Sequence, residues 1–171
     1  RVDRRQRQMC IRDRYICIHT IMLSLEGVPA FYIHSLFGTS NDHALFKQTN
    51  QNRSINRGKI KISEIDLSKQ SEPHSYIFHQ LRKLMLIRKK QPAFHPNAVQ
   101  FTLHLGRNLY GIWRQSLDKK QSIFCISNLT DKVVNLSLLD LNLIGFDYWR
   151  DLITDIKVDD ITCLLYTSPS P

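Results

Sequence analysis

The stretch SEPHSYIFHQLRKLMLIRKKQP, from Ser71 to Pro92, most constrains the fold, because it predicts one helix that separates two different patterns of apolar residues. Ser71 and Pro73 are typical of a helix start, and Pro92 ends the helical pattern. Along one face, the residues that recur at helical spacing are Ile77, Leu81, Leu84 and Arg88. Any fold for this chain must therefore place a helix here and explain what lies on each side of it.

Before this helix the sequence predicts a helix, a short loop and a buried strand. YICIHTIMLSLEG, which begins at Tyr15, is apolar and ends at Gly27, as expected for the last turns of a buried helix. The next segment, Val28–His34, is rich in Val, Phe, Tyr and Ile, which predicts a strand buried on both faces, as in parallel sheets. This order of elements indicates an α/β fold.

A long polar loop, SLFGTSNDHALFKQTNQNRSINRGK, follows that strand. Loops of this length inside compact domains are commonly functional, and α/β barrels bind ligands at the carboxyl ends of their strands. The candidate site residues in the loop are Asn41, Asp42, Arg53, Asn56 and Arg57. The alternative is that these side chains satisfy the backbone of their own loop and one another.

Beyond Pro92 the sequence alternates between apolar and polar residues in short segments, which predicts an antiparallel sheet built from hairpins. The segments are VQFTLHL, LYGIWRQSL, QSIFCISNL and VVNLSLL. We therefore place a domain boundary near Phe94–Asn97. In the second domain, Trp113 and Trp149 either stack on sugar rings or pack in the core.

Both ends of the chain match translated sequencing adaptors. Arg4–Asp13, RRQRQMCIRD, is the translation of the mosaic-end adaptor of a transposase sequencing library, and Cys163–Pro171, CLLYTSPSP, is the translation of its complement. We therefore predict that residues 1–14 and 163–171 are adaptor-derived and that the genuine insert spans residues 15–162. The alternative is a real basic arm and a real disordered tail.

Excluding these ends changes what the charge implies. Residues 1–14 hold six arginines and two aspartates, so without the ends the formal net charge falls from +9 to +5. The higher value would favour a nucleic-acid-binding module, since clustered Lys and Arg neutralise phosphates. With the lower value we expect no nucleic-acid partner. The sequence also shows no long apolar run and no secretory signal, so we expect no membrane partner, a cytoplasmic location and reduced thiols at Cys17 and Cys125.

The insert carries no motif for a metal or a cofactor. His74 and His79 are five residues apart, which does not place them on one helical face. The sequence has no H-E-x-x-H or C-x-x-C motif, no nucleophile elbow and no glycine-rich phosphate loop. We therefore expect neither a metal nor a cofactor.

Three stretches of the sequence resemble a known family: EGVPAFYIHSLFGTSNDHALFKQTNQNRSINR, LRKLMLIRKKQPAFHP and FTLHLGRNLYGIWRQS. Together they resemble the C-terminal third of sucrose-phosphorylase-type enzymes in glycoside hydrolase family 13. The GVP-x-x-Y strand is shared across the family, whereas the loop with N-D, T-N and then R-x-I-N-R is typical of its phosphorylase branch. The resemblance covers Tyr15 to about Asp155.

The resemblance implies an α/β fragment: the last strand and helix of a (β/α)8 barrel followed by a small antiparallel β domain. On that correspondence, Val28–His34 is the eighth strand and Pro73–Gln91 the eighth helix, and the C-terminal β domain starts at about Ala98. We therefore predict that residues 15–96 form the C-terminal part of the barrel and that residues 97–162 form the β domain.

The resemblance also implies a retaining phosphorylase, which transfers a glucosyl unit between an α-glucoside and orthophosphate. The α-glucoside would be sucrose, sucrose phosphate or glucosylglycerate; the stretch Ile33–Gly38 resembles more closely the enzymes that act on the last two. The nucleophile, the acid/base and the third carboxylate of the family precede the eighth strand. We therefore expect no catalytic residue in this chain and an inactive fragment.

For substrate binding, the resemblance implies that Arg53 helps to hold the glucosyl unit and that Asn41 and Asp42 lie near the pocket. A guanidinium suits this task, because its fixed fork of donors can pair with a carboxylate and still donate to a sugar hydroxyl.

Two other functions fit the sequence. The parent could be a hydrolase or transglucosidase of the same family, which phosphate dependence would distinguish from a phosphorylase. Alternatively, the chain could be a non-catalytic sugar-binding β domain that uses Trp113 or Trp149. The sequence leaves the oligomeric state open.

Overall fold

The computed structural model describes residues 2–61, 63, 65–69, 72–137, 149–158 and 162–165. The α-helices are α1 (Val2–Ser24), α2 (Ile33–Phe37), α3 (His43–Thr49) and α4 (Pro73–Lys89), and 3-10 helices span Asn52–Asn56 and Pro92–Phe94. The strands are β1 (Val99–Leu103), β2 (Leu109–Gln115), β3 (Ser122–Asn128), β4 (Val134–Ser137), β5 (Trp149–Arg150), β6 (Lys157–Val158) and β7 (Thr162–Leu165). The chain divides into two compact units, Ala30–Lys83 and Arg1–Pro29 with Leu84–Pro171.

The predicted helix before Pro92 is confirmed as α4. Ile77 and Leu81 are buried, at 5% and 0% exposure, as their spacing predicts. Arg88 is also buried, at 9% exposure, although it is charged and lies in the last turn. Its partners are backbone carbonyl groups of residues far away in the sequence, which helical periodicity does not reveal.

The predicted hairpins are confirmed by a three-stranded antiparallel sheet in the order β1-β2-β3. Its register places Phe101, Trp113 and Phe124 side by side on neighbouring strands. Ile112 and Arg114 flank Trp113 in β2, lie on the opposite face of the sheet and are fully buried. The fourth predicted segment forms β4, which pairs with β7; the rest of that segment, beyond residue 137, lies outside the described residues.

The helix predicted from Tyr15 is part of α1, which ends at Ser24, three residues before Gly27 (φ 84°). Leu23 is buried, but Ile18 is 64% exposed, so the prediction of a buried helix is correct for one face only. The helix runs through residue 14 without a break, and β7 includes residues that the adaptor match assigns to the far end. Neither observation bears on where these residues originate, and the predicted boundaries remain predictions.

The predicted strand Val28–His34 is wrong as a paired strand in this structure. Residues 28–32 have no strand assignment, Val28 is 80% exposed, and Ile33 begins α2. The backbone at Tyr32 is nevertheless extended, with φ −74° and ψ 141°. A parallel strand is defined by hydrogen bonds to neighbouring strands, and no described strand pairs with this segment.

Among the described residues, none of the helices combines the length and the hydrophobicity that crossing a membrane requires.

Candidate substrate site

The polar loop after residue 34 folds back on itself, and Asp42 is the residue that closes it. The backbone N–H of Asp42 donates to the carbonyl of Ile55 at 2.6 Å. Its carboxylate caps α3, because Oδ1 accepts from the N–H of Leu45 at 2.8 Å. These two bonds hold the start of α3 beside the 3-10 helix Asn52–Asn56, which contains the first four residues of the R-x-I-N-R motif.

A second set of contacts fixes the end of α3 to the same 3-10 helix. Asn50 adopts a left-handed conformation (φ 49°) and its N–H donates to the carbonyl of Phe46 at 2.8 Å, which ends the helix. The hydroxyl groups of Thr49 and Ser54 are hydrogen-bonded at 2.8 Å, and Ser54 is buried. With Ser54 turned inward, the neighbouring Arg53 is left on the exposed side of the turn.

The first part of the loop is anchored on α4. Nδ1 of His74 donates to the carbonyl of Phe37 at 2.8 Å, and the rings of Phe37 and Phe78 stack with centroids 5.4 Å apart. Gly38, which follows α2, has φ 57° and lies directly against Ile77. The loop is therefore an ordered part of the unit Ala30–Lys83, built on α4.

Arg53 is exposed, and its guanidinium is only partly used by the protein. Nε donates to Oε1 of Gln51 at 3.0 Å. In the described part of the chain, no carboxylate forms an ion pair with Arg53, and its terminal nitrogens have no hydrogen-bond partner. The turn thus presents two guanidinium nitrogens that can donate to a ligand oxygen.

The structure gives Asp42 and Asn41 different surroundings. Asp42 is half-buried, with Oδ1 occupied by the cap and Oδ2 close to Gly58, where an added Cβ would lie 3.1 Å from that oxygen. Asn41 precedes it and is exposed. Asp42 is therefore a structural residue of the loop. Contact of either side chain with substrate stays a prediction.

Asn56 and Arg57 are held in the loop through their backbone groups, and whether their side chains brace the loop or contact substrate stays a prediction. The N–H of Arg57 donates to the carbonyl of Ser54 at 3.2 Å, and the carbonyl of Asn56 accepts from the hydroxyl of Tyr32 at 3.2 Å. Tyr32 thus joins the extended segment before α2 to the R-x-I-N-R motif. Sequence reasoning missed this role.

Curated glucosylglycerate phosphorylases match the chain over most of its length. The chain is 36% identical to the enzyme of Allomeiothermus silvanus over 133 residues, which are 77% of this chain and 23% of the relative. It is 32% identical to the enzyme of Escherichia coli K12 over 149 residues, 85% of this chain and 25% of the relative. The resemblance to sucrose-phosphorylase-type enzymes is confirmed. The chain spans about a quarter of the length of these phosphorylase relatives, and no protein-family model matches it.

A solved structure shows the fold. The chain superposes on a variant of AmyP in complex with maltotriose with a TM-score of 0.69 and 14% identity, over 92% of this chain and 33% of the other. Together with the sheet β1-β2-β3, this match confirms the fold class, the end of a (β/α)8 barrel followed by a small antiparallel β domain. Only the strand pairing expected for Val28–His34 is missing from the described residues.

Proposed function

We propose that the chain is the C-terminal part of a retaining α-glucoside phosphorylase, which transfers a glucosyl unit between an α-glucoside and orthophosphate. The observation that carries this proposal is the similarity to two glucosylglycerate phosphorylases over 77% and 85% of the chain. The R-x-I-N-R motif lies within the loop that Asp42 closes. In this reading the parent is an enzyme without a metal or an organic cofactor, and its partners are the sugar substrate and phosphate.

Within the parent, we assign substrate binding to Arg53, Asn41 and Asp42, with unequal roles. Arg53 has guanidinium nitrogens that the described residues leave unused, and it donates these to hydroxyl groups of the glucosyl unit. Asn41 contributes an exposed amide at the start of α3. Asp42 acts mainly by holding α3 and the Arg53 turn together.

For the α-glucoside that donates the glucosyl unit, glucosylglycerate is the first choice. Both relatives above are named glucosylglycerate phosphorylase, and the stretch Ile33–Gly38 resembles enzymes that act on glucosylglycerate or on phosphorylated sucrose. Sucrose and sucrose phosphate are the compounds to compare with it.

We further propose that residues 15–96 are barrel-derived, that residues 97–162 form the β domain, and that residues 1–14 and 163–171 derive from adaptors. The parent would act in the cytoplasm, and the catalytic carboxylates would lie upstream of Tyr15. The chain alone is then inactive. Resequencing the source DNA outward from the codons for Tyr15 and Thr162 tests the adaptor assignment: the adaptor-like ends should be absent from the genome, and their presence would refute it.

The packing of Trp113 supports a core role over a sugar-binding role. Its ring lies between Phe101, with centroids 4.7 Å apart, and Phe124, at 5.8 Å. Phe124 in turn meets the ring of Trp149 edge to face at 5.2 Å. A sugar-binding platform needs one open face of an aromatic ring, and the ring of Trp113 has an aromatic neighbour on each side.

The function is tested with the intact parent enzyme. Purified enzyme is given glucosylglycerate with and without orthophosphate, and glucose 1-phosphate and free glucose are both quantified. The proposal expects glucose 1-phosphate that depends on phosphate, whereas free glucose released at the same rate without phosphate would identify a hydrolase. Arg53→Ala should raise KM for the glucoside or abolish turnover, while Arg57→Ala, an exposed cation four residues away, is the matched control.

A further inference from the structure

Two buried arginines, Arg88 of α4 and Arg114 of β2, lie against the same aromatic ring. The guanidinium carbon of Arg88 is 4.9 Å from the centroid of Phe94, and that of Arg114 is 6.0 Å away. Arg114 is fully buried and Arg88 is 9% exposed. Within the described residues neither arginine forms an ion pair with a carboxylate. Their charges must therefore be compensated in another way.

Arg88 is compensated by backbone carbonyl groups at the end of α1. Its terminal nitrogens donate to the carbonyls of Leu23 and Gly27, the second at 2.9 Å. The last carbonyls of a helix have no partner within the helix, and a buried helix end requires donors from elsewhere. Arg88 supplies such donors although it lies more than sixty positions later in the chain.

Arg114 is compensated by the segment between α4 and the sheet. Its Nε donates to the carbonyl of Ala93 at 3.2 Å, and Nη2 donates to the carbonyl of His95 at 3.0 Å. Its third nitrogen, Nη1, donates at 3.3 Å to Oε1 of Gln100 on β1, and the same oxygen accepts from the N–H of Glu26 at 2.8 Å. The network thus connects the sheet with the residues that follow α1.

Electrostatics makes the two arginines depend on all of these acceptors at once. Burial lowers the pKa of both guanidinium groups, and the charge of Arg114 lowers that of Arg88 further. An arginine nevertheless stays charged in a protein. The charge of Glu26 favours charged Arg114 without forming an ion pair with it, and the two neighbouring buried cations otherwise depend on the carbonyl groups around them staying in place.

We propose that Arg88 and Arg114 join the chain on both sides of the predicted domain boundary, near residues 96 and 97, into one cooperative folding unit. Strands β1–β3 then cannot unfold while the end of α1 and the end of α4 stay folded. The boundary is not a hinge. A β domain that starts at residue 97 would lack Ala93 and His95, which are acceptors of its fully buried arginine.

The test is native-state hydrogen exchange of the full chain, followed by mass spectrometry at increasing urea. A single unit predicts that the amides of residues 23–27 and of β2 exchange through the same opening, with the same dependence on urea. Arg88→Met, a change on the helix, should accelerate exchange in β2 by at least about tenfold. Arg114→Met, a change on the sheet, should do the same at residues 23–27. Lys89→Met removes an exposed cation next to Arg88 and should leave both regions unchanged.

Two results would overturn the proposal. In the unmodified chain, the two regions could exchange with clearly different urea dependences. Alternatively, Arg88→Met could leave exchange in β2 at the level of Lys89→Met. If Arg114→Met does not fold, the urea dependence of the unmodified chain and the Arg88→Met variant decide the matter, because neither requires that protein.

Discussion

Replacing Gly38 by alanine is the sharpest test of how the substrate loop is built. Gly38 ends α2 with φ 57°, in the left-handed region that costs an L-residue about 1–2 kcal/mol. An added Cβ would overlap Cδ1 of Ile77 and lie 3.4 Å from its Cγ2. Because Ile77 is only 5% exposed and β-branched on a helix, it has little freedom to move away.

The overlap adds the cost of overpacking, about 1–3 kcal/mol. Gly38→Ala should therefore lower the free energy of unfolding of the unit Ala30–Lys83 by about 2–5 kcal/mol. Ile77→Val alone removes the overlapping methyl group at a cost of about 0.5–1.5 kcal/mol. In the double variant the overlap is gone, so the double variant should be more stable than the sum of the two single changes predicts.

The assay is urea unfolding followed by far-UV circular dichroism, combined with hydrogen exchange of residues 73–83, the part of α4 that belongs to this unit. Exchange restricts the reading to the unit that contains both residues. A Gly38→Ala variant as stable as the unmodified chain would refute the geometry at this site. Strict additivity in the double variant would show that the cost arises from the backbone conformation and not from contact with Ile77.

Further predictions concern the cap of α3, a buried thiol and an acidic turn. Asp42→Ala should destabilise α3 by about 0.5–2 kcal/mol and accelerate exchange of the Leu45 amide, whereas Asn41→Ala should change neither. Burial raises the pKa of Cys125 from its ordinary 9.0 to about 11. The stability that the neutral thiol contributes is therefore complete below pH 9 and is lost as the pH rises through 11. Over that range the urea midpoint of Cys125→Ala should fall less than that of the unmodified chain. A hydrogen bond from Ser116 lowers the pKa of Asp118 below 3.8. The stability that the Asp118 carboxylate contributes is therefore present above pH 3.8 and is lost as the pH falls through the pKa of the folded state. Asp118→Asn should flatten this part of the acid unfolding curve.

Each of these predictions has a result that contradicts it. Equal exchange of the Leu45 amide in the Asp42 and Asn41 variants would show that the carboxylate of Asp42 does not stabilise the start of α3. An unchanged alkaline titration in Cys125→Ala would show that this thiol does not govern stability there. Identical acid unfolding curves for Asp118→Asn and the unmodified chain would mean that the turn contributes no pH dependence.

Local patterns predicted the elements that depend on local physics. The periodicity of Ile77 and Leu81 identified α4, and alternation with turn residues identified β1, β2 and β3. The strand at Val28–His34 failed because strand pairing depends on neighbouring strands, which a single segment does not encode. Periodicity placed Arg88 on the apolar face of α4 but could not show what compensates its charge. Its acceptors, the carbonyls of Leu23 and Gly27, lie more than sixty positions earlier in the chain.

The site was only partly predictable from the sequence. The loop and its arginine could be found from polarity, spacing and resemblance to the phosphorylases. That Asp42 closes the loop was missed, although an aspartate just before a helical segment is a common N-cap and this signal was available. The bond from Tyr32 to Asn56 spans 24 residues and could not have been read from any local pattern.

The central claim, that the chain is a piece of an α-glucoside phosphorylase, is tested most directly by following orthophosphate. The intact enzyme, recovered by sequencing outward from Tyr15 and Thr162, is incubated with glucosylglycerate and phosphate and monitored by ³¹P NMR. The account predicts that the orthophosphate signal falls while a glucose 1-phosphate signal of equal size appears. Consumption of the glucoside with free glucose formed and orthophosphate unchanged would contradict it.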